Sequence, residues 1–204
     1  LHAARAESVG QLRGAGLRGL SAMGDADDAH ALLGDRVLLG RPLLDCRRSE
    51  LEQAAAQLGV AHVVDESNAD TRYRRNAIRH DILPLLERDF PGATGAIARS
   101  SRHWQAAQRL LDELAAIDLA HCAEGHRLKL DRVAALSSDR ADNLLRHWLG
   151  RQGALQPPSE AQLAQLRSQA LMSASDAHPS LVLCGLNLQR QGGQLLALPD
   201  AHGR

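Results

Sequence analysis

The sequence predicts an α/β segment followed by a small, helix-rich α+β domain. Two short apolar runs, 36–40 and 62–64, flank a helical pattern at 49–58. Strand, helix and strand within so short a span indicate a parallel crossover. An apolar repeat at helical spacing then runs from 93 to about 120. After it, further helical patterns alternate with short strand signals, which is typical of an α+β fold.

Turn and cap residues mark the ends of elements in the first segment. Ser49 is predicted to cap the start of the helix at 49–58, and Gly59 to cap its end. Residues 5–12 indicate the tail of a helix. Residues 13–19 form a glycine-rich turn whose backbone can approach a phosphate or a base closely, although a simple helix C-cap would explain the same glycines.

The second segment combines a strand, two helices and a β-meander. Residues 127–130 alternate like a strand. Helices are predicted at 140–149 and 160–170, with Ser159 as the N-cap of the second. Glycine turns then join three short predicted strands, at 181–184, 186–190 and 194–198.

Length and composition allow two small domains and predict a soluble, cytoplasmic protein. The chain has 204 residues, of which 44% are hydrophobic, but no apolar run is long enough to cross a bilayer and its start lacks a signal-peptide core. Basic and acidic residues number 24 each, so nucleic-acid binding would require a local patch. The predicted domains are residues 1–90, a linker helix at 91–125, and residues 126–204.

Cysteine and histidine spacing predicts no metal site. Cys46, Cys122 and Cys184 lie far apart, form no Cys-x-x-Cys pair and are odd in number. They are expected to be reduced and mostly buried thiols. None of the ten histidines stands in a metal-ligand arrangement.

The segment 65–80 concentrates arginine, asparagine and carboxylates in one turn and helix, and it is the predicted functional site. Asp65, Ser67, Asn68 and Asp70 have short polar side chains that favour a turn and a helix cap. In the helix that follows, one polar side is predicted at three- and four-residue spacing, formed by Arg72, Arg75, Asn76 and Arg79. The apolar side is predicted to contain Ile78, Ile82, Leu85 and Leu86.

Two interpretations of this polar side remain open. Guanidinium groups at fixed spacing suit phosphate oxygens, and Asn76 could hydrogen-bond a base, a sugar or neighbouring backbone. Alternatively, the helix is salt-bridged, with its arginines paired to Asp70, Glu66 or Asp81. Tyr73 fits a substrate contact or the core almost equally well.

Three motifs in order resemble the tRNA(Ile)-lysidine synthetase family. The run 65–86 reads Asp-x-Ser-Asn-x-Asp-x-x-Tyr-x-Arg-Asn-x-Ile-Arg-x-x-Ile-Leu-Pro-Leu-Leu, very similar to a string at the end of that family's catalytic domain. Upstream, residues 13–20 resemble its Arg-Gly-x-Gly loop, and residues 41–44 with 49–51 resemble its Arg-Pro-Leu-Leu strand and following helix. The resemblance covers about the first ninety residues, with weaker motifs later, chiefly Leu145-Arg146-x-Trp148-Leu149.

The resemblance implies a ligase. Members of the family use ATP and Mg²⁺ to adenylate the wobble cytidine of an isoleucine tRNA with a CAU anticodon, and free lysine then displaces AMP to give lysidine. The chain would comprise the end of a PP-loop, adenine nucleotide hydrolase-like parallel-sheet domain and a substrate-binding domain. The expected tRNA or substrate contacts are Arg13, Arg72, Tyr73, Arg75, Asn76 and Arg79. The expected partners are tRNA(Ile) and free lysine, with no membrane, and a homodimer is left open.

The chain also departs from the family pattern. The pyrophosphatase loop Ser-Gly-Gly-x-Asp-Ser is absent, and so are two aspartates expected before residues 6–8. No nucleotide or metal site is therefore predicted within these residues. The chain is expected to be a fragment that is inactive alone. A non-catalytic tRNA-binding module or a degenerate remnant is the alternative.

Overall fold

The computed structural model describes residues 16–20, 26–28, 38–43, 46, 48–61, 66–171 and 180–199. The chain divides into two compact units, Leu1–Gln108 and Arg109–Arg204. The helix predicted at 5–12 and the strand predicted at 62–64 lie outside the described residues. Within the described part of the chain, no helix combines the length and apolar character needed to cross a membrane.

The first unit is mainly helical where it is described. Its helices are α1 (Leu17–Leu20), α2 (Arg48–Gln57), α3 (Arg74–Ala77), α4 (Leu83–Asp89) and the beginning of α5 (Ala93–Cys122). A 3₁₀ turn, Glu66–Ala69, precedes α3, and a π-helical turn, Ile78–Ile82, separates α3 from α4. Strands β1 (Ala26–Asp28) and β2 (Leu38–Gly40) form an antiparallel pair, so the described residues do not confirm the predicted parallel sheet.

Helix α2 confirms the predicted helix but corrects one of its caps. It begins at Arg48, so Ser49 lies inside the first turn and is not the N-cap. Gly59 is the predicted C-terminal cap, with φ of 63°. Val60 N–H donates to Ala55 O at 2.9 Å and Gly59 N–H to Ala56 O at 3.3 Å. These two bonds form a Schellman motif, which glycine favours because it adopts positive φ without strain.

One carboxylate fixes the corner between α4 and α5. Glu87 Oε1 accepts a hydrogen bond from Gly92 N at 2.8 Å. Its Oε2 accepts from Thr94 N at 3.0 Å and from Thr94 Oγ1 at 2.8 Å. Glu87 therefore satisfies backbone donors at the start of α5. Its negative charge also interacts favourably with the positive end of the helix dipole.

The second unit is the predicted α+β module. Its described helices are the remainder of α5, α6 (Leu130–Ala134), α7 (Ser138–Arg151) and α8 (Glu160–Leu171). Its described strands are β3 (Ala123–Glu124), β4 (Arg127–Lys129), β5 (Ser180–Leu183), β6 (Leu186–Gln191) and β7 (Gln194–Pro199). They form an antiparallel sheet in the order β3, β4, β7, β6, β5. The sequence missed α6 and β3, which are short.

Local chemistry explains the turns of this module. Ser159 Oγ accepts from Gln162 N at 3.3 Å and Gln162 Oε1 accepts from Ser159 N at 2.8 Å, a capping box that confirms the predicted N-cap of α8. Two-residue turns join β5 to β6 and β6 to β7. Both central residues of each turn have positive φ, as type I′ hairpins require, and these residues are Cys184, Gly185, Gly192 and Gly193.

The core of the second unit lies between α7, α8 and the sheet. Helix α7 buries a set at spacings of three and four residues, consisting of Ala141, Leu144, Leu145, Trp148 and Leu149. The sheet contributes Leu128, Leu186, Leu188 and Leu195, and α8 contributes Leu163 and Leu166. Each fully buried leucine adds about 1.5–3 kcal/mol of hydrophobic stabilisation. Trp148 Nε1 also donates to His126 O at 3.3 Å, which satisfies its polar atom.

A buried carboxylate links α5 to α7. Asp118 is 2% exposed, and its Oδ2 accepts from Arg140 Nε at 3.1 Å while Oδ1 accepts from Arg140 Nη2. The pKa of Arg140 is raised because Asp118 accepts its hydrogen bonds and carries the opposite charge. The ion pair explains how an aspartate is accommodated near the C-terminal end of α5, where a negative charge is otherwise unfavourable.

We expect Gly185→Ala to destabilise the second unit by about 1–2 kcal/mol, because an L-residue is strained at its φ of 81°. The new Cβ would also lie 2.8 Å from Leu155 Cγ, so this loop must shift. Urea unfolding measures the effect. Gly150→Ala is the control, since this helical glycine has open space around it and should gain up to about 1 kcal/mol. Equal effects of the two substitutions would contradict this account of the turn.

The buried thiols predict a pH dependence at the alkaline end. Burial raises the pKa of Cys122 and of Cys184 above the ordinary value of 9.0, and the charge of Asp118 adds to the shift at Cys122. The thiol form is thus favoured in the folded state, and its contribution is complete below pH 9 and decreases as pH rises toward the folded-state pKa. We expect the free energy of unfolding to fall as the pH rises above about 9, and the fall to be shallower in Cys122→Ala/Cys184→Ala.

Candidate nucleic-acid interface

The segment from Glu66 to Ile82 forms a turn that folds back onto the start of a helix. After the 3₁₀ turn, Asp70 Oδ1 accepts from Arg72 N at 3.0 Å, which closes an Asx turn. Tyr73 N then donates to Asp70 O at 3.3 Å, and α3 begins at Arg74. The predicted turn before the helix is confirmed, whereas Asp65, which was also predicted to belong to it, lies outside the described residues.

Asn76 is the buried centre of this segment. Its side chain is 1% exposed, and Nδ2 donates to Ser67 O at 2.8 Å and to Asp70 O at 2.9 Å. Both amide hydrogens are therefore used by backbone carbonyls of the preceding turn. The sequence allowed a base, a sugar or neighbouring backbone as hydrogen-bond partners of Asn76, and the structure shows neighbouring backbone. The placement of Asn76 on an open cationic face was wrong.

His80 makes a further contact with the same turn, which no pattern in the sequence indicates. Its Nε2 lies 3.1 Å from Asn68 O. A carbonyl oxygen only accepts, so Nε2 must carry a hydrogen in this contact. His80 and Asn76 together attach the 3₁₀ turn to the helix through backbone carbonyls that would otherwise need water.

Arg72 bears out the salt-bridge alternative for its own position. Its Nη2 lies 2.7 Å from Asp70 Oδ2, and its Nε lies 3.0 Å from both carboxylate oxygens. The Arg72 guanidinium, and after it the Arg72 backbone N–H, hold the pKa of Asp70 below its usual range. The pKa of Arg72 is raised in turn by Asp70. The side chain of Arg72 is nevertheless 90% exposed, so its outer surface remains accessible.

The other predicted site residues differ in what the structure shows. Tyr73 is 53% exposed, which argues against a core position. Arg79 is half-buried, and Arg74, which was not among the site residues predicted from the sequence, is exposed. Neither forms an ion pair with another described residue. The backbone of Arg75 lies in α3, whereas its side chain and all of Arg13 lie outside what the structure describes.

The π-helical turn changes the apolar face that helical spacing predicts. Leu83 N donates to Ile78 O, five residues back, which widens the turn and rotates later side chains around the axis. Ile78 and Leu83 are buried at 4% and 6% exposure, whereas Ile82 is 41% and Leu85 is 50% exposed. The predicted inner positions of Ile82 and Leu85 were therefore wrong. A constant period of 3.6 cannot anticipate such a turn.

The arrangement suits contact with a nucleic acid. Arg74 and Arg79 supply cations, and Arg72 supplies a guanidinium that is already partly neutralised. Tyr73 presents an exposed ring, and a ring of this kind can stack on an unpaired base. Because Asn76 and His80 hold the turn in place, the side chains of Arg72, Tyr73, Arg74 and Arg79 extend from a fixed backbone.

The described residues do not fit a nucleotide phosphate site. Gly16 precedes the single turn of α1, and a Cβ added there would meet no atom within 4 Å, so no close approach of described protein atoms requires glycine at this position. The chain contains no Ser-Gly-Gly-x-Asp-Ser run that would supply clustered N–H groups. No chemical step can be assigned to a nucleotide held by these residues.

The second unit has a separate cleft of about 520 Å³ with mixed charge. It is lined at one side by Lys129, Glu124 and Gln194. Lys129 Nζ lies 3.1 Å from Glu124 Oε2, and Gln194 Nε2 donates to the same oxygen at 3.0 Å. The pKa of Glu124 is lowered by Lys129. Asp131 and Arg190 also line the cleft, so the formal charges of its lining sum to zero.

Known protein families match both units of the chain. The PP-loop domain family matches residues 8–86, and the TilS substrate binding domain family matches residues 128–196. These ranges include the three motifs found in the first ninety residues and the core of the α+β module.

Individual relatives agree with these matches. The tRNA(Ile)-lysidine synthase of Burkholderia pseudomallei is 48% identical over 169 residues, which cover 82% of this chain and 34% of the relative. Those of Coxiella burnetii and Shigella flexneri are 37% and 38% identical, covering 90% and 94% of this chain but 40% and 43% of the relatives. The chain thus spans between a third and a half of the length of these curated relatives. It belongs to the tRNA(Ile)-lysidine synthetase family.

Proposed function

We propose that this chain provides tRNA contacts for the lysidine-forming ligase reaction. In this reaction the wobble cytidine of tRNA(Ile) with a CAU anticodon is activated with ATP and joined to free lysine. The observation that carries the proposal is the locked segment 66–82, which displays Arg72, Tyr73, Arg74 and Arg79 around a buried Asn76. The similarity to tRNA(Ile)-lysidine synthases supports the reaction.

The two family matches support different roles for the two parts of the chain. Residues 1–90 are proposed to be the end of a PP-loop catalytic domain with a parallel sheet, and residues 126–204 the substrate-binding domain, joined by a helix at 91–125. ATP, and Mg²⁺ with it, would be bound by the loop that is missing from these 204 residues. We therefore expect no AMP release from ATP by this chain alone. We also propose that the protein acts in the cytoplasm. The homodimer remains a prediction.

A non-catalytic tRNA-binding module is the competing function. The same cationic segment motivates it, but the matches to a PP-loop domain and to a substrate-binding domain favour the ligase. The two functions separate in a full-length relative of the family, where Arg79→Gln should lower lysidine formation under the ligase proposal. A simple binding module would leave that reaction unchanged.

We expect the arginines of the segment to contribute unequally to tRNA binding. Arg74→Gln and Arg79→Gln should each weaken binding of unmodified tRNA(Ile) about fivefold to tenfold at 0.1 M salt, because each removes a cation that forms no ion pair among the described residues. Arg72→Gln should cost less, since Asp70 already neutralises that guanidinium. Filter binding over a salt series measures all three.

Arg88→Gln is the control for this series. Arg88 is also exposed and paired, with Nε 2.7 Å from Asp89 Oδ1, but it lies on α4 outside the segment. Its substitution should leave both the affinity and the salt dependence as in the wild type. Binding that does not weaken with rising salt would contradict phosphate contact altogether.

Asn76→Asp should release the turn while barely changing side-chain size. A carboxylate cannot donate to the carbonyls of Ser67 and Asp70, so two buried acceptors lose their partner, at a cost of about 2–4 kcal/mol. Amide hydrogen exchange across residues 67–77 should accelerate and tRNA binding should fall. Asn143→Asp in the second unit is the matched control. Asn143 Nδ2 also donates to a backbone carbonyl, that of Leu111, at 2.7 Å. Unchanged exchange in Asn76→Asp would refute the locked turn.

A further inference from the structure

The charges along α5 are segregated. From residue 93 to residue 111 the helix contains Arg99, Arg102, His103 and Arg109 and no carboxylate. From residue 112 to its end it contains Asp112, Glu113 and Asp118 and no arginine or lysine. In a chain with equal numbers of basic and acidic residues, a solvated helix would ordinarily intersperse the two signs.

Arg99 and Arg102 lie on the solvent side of the helix. Both are exposed, as is His103, whereas Ser101 between them is 1% exposed. Neither guanidinium forms an ion pair or a hydrogen bond with another residue in the part of the chain that the structure describes. The two exposed cations therefore have no compensating charge among these described residues.

Glycine at position 95 leaves the Arg99 guanidinium open. Arg99 Nη1 lies 3.5 Å from the point where a Cβ at Gly95 would be, so the side chain extends back over this glycine. Gly95 and Ala96 are exposed and small. A phosphate could reach the guanidinium here without meeting a larger side chain.

Stability does not account for this arrangement. Arg99 and Arg102 are three residues apart on the helix, where like charges repel. The positions that could pair with them along the helix hold Gly95, Ala98, Gln105 and Ala106 in place of acids. Of the carboxylates that precede the helix, Glu87 accepts hydrogen bonds from Gly92 and Thr94, and Asp89 pairs with Arg88. A glycine in the first turns also lowers helix stability relative to other residues.

We propose that Arg99 and Arg102 form a second phosphate-contact surface, which binds the backbone of the tRNA away from the segment 66–82. The partner rests on the proposed function, in which tRNA is the substrate. Exposed, unpaired guanidinium groups beside small residues match phosphate oxygens in charge and geometry. Such contacts position an RNA and do not read its bases.

The first test removes the charges. Arg99→Gln and Arg102→Gln should each make the slope of log K against log salt less negative by about 0.7–0.9. If the affinities of variant and wild type are equal at 1 M salt, this change corresponds to about five- to eightfold weaker binding by the variant at 0.1 M salt. The loss should be equal for tRNA(Ile) and for an unrelated tRNA, because phosphates carry no sequence information. Arg99→Lys/Arg102→Lys should retain the wild-type slope, since the charge is kept.

Arg109→Gln is the matched control on the same helix. Arg109 is exposed too, but Asp112 and Glu113 stand three and four residues after it. These carboxylates lower the local potential, so its substitution should change the slope less. Equal changes for Arg99, Arg102 and Arg109 would overturn the proposal, because they would reflect net charge alone.

The second test neutralises Arg99 without touching it. Gly95→Glu places a carboxylate four residues before Arg99, the favourable order for an intrahelical ion pair, near the positive end of the dipole. This variant should melt about 2–4 °C higher, from the gain in helix propensity, while binding tRNA more weakly. Gly95→Gln should melt higher with unchanged binding. A Gly95→Glu variant with wild-type affinity would overturn the proposal.

The outcomes separate this surface from the segment 66–82. If Arg74→Gln/Arg79→Gln loses binding while Arg99→Gln/Arg102→Gln keeps it, the surface on α5 is refuted and the proposed function stands. The reverse pattern supports the surface on α5 and refutes the proposed contacts on α3. A wild-type chain that binds neither tRNA at low salt also refutes the surface on α5, and lysidine formation by a full-length relative then tests the proposed function independently.

Discussion

The amide of Asn76 is the interaction on which the candidate interface depends. It is buried at 1% exposure and donates to two carbonyls, Ser67 O and Asp70 O, that lie before the helix. A buried carbonyl without a donor is costly, so this one side chain decides whether the turn can rest on the helix. The Asp70 contacts with Arg72 and the His80 contact with Asn68 add to an arrangement that Asn76 has already fixed.

The role of Asn76 shows that a polar residue within a run of arginines can support the backbone and need not be an exposed contact residue. Helical spacing alone grouped Asn76 with the arginines, since 72, 75, 76 and 79 share one side of a regular helix. The structure separates their roles: Asn76 faces inward and positions the turn, while Arg72, Arg74 and Tyr73 are exposed. A substrate contact and a residue that supports it carry the same polar signal in sequence. Only the burial of the amide and the identity of its acceptors distinguish them.

Much of the second unit could be predicted because its signals are local. The capping box at Ser159, the glycine turns and the apolar spacing of α7 each depend on residues within a few positions of one another. The first unit was less predictable for physical reasons. Its π-helical turn breaks the constant period that places Ile82 and Leu85 inside, and its described strands pair in a way that the apolar runs alone do not determine. The contact of His80 with Asn68 joins residues twelve positions apart, so no local pattern indicates it.

The two halves of α5 show how stability and recognition place different demands on charge. In the second unit, Asp118 stands near the C-terminal end of the helix, where its charge is unfavourable, and Arg140 compensates it directly. In the first unit, Arg99 and Arg102 repel each other and have no described partner, yet the helix provides a glycine where an acid would stabilise it. An unfavourable charge that is compensated is explained by the fold. One that is left open among the described residues of the same helix fits the proposed contact with a polyanion, whose charge is opposite to that of the arginines.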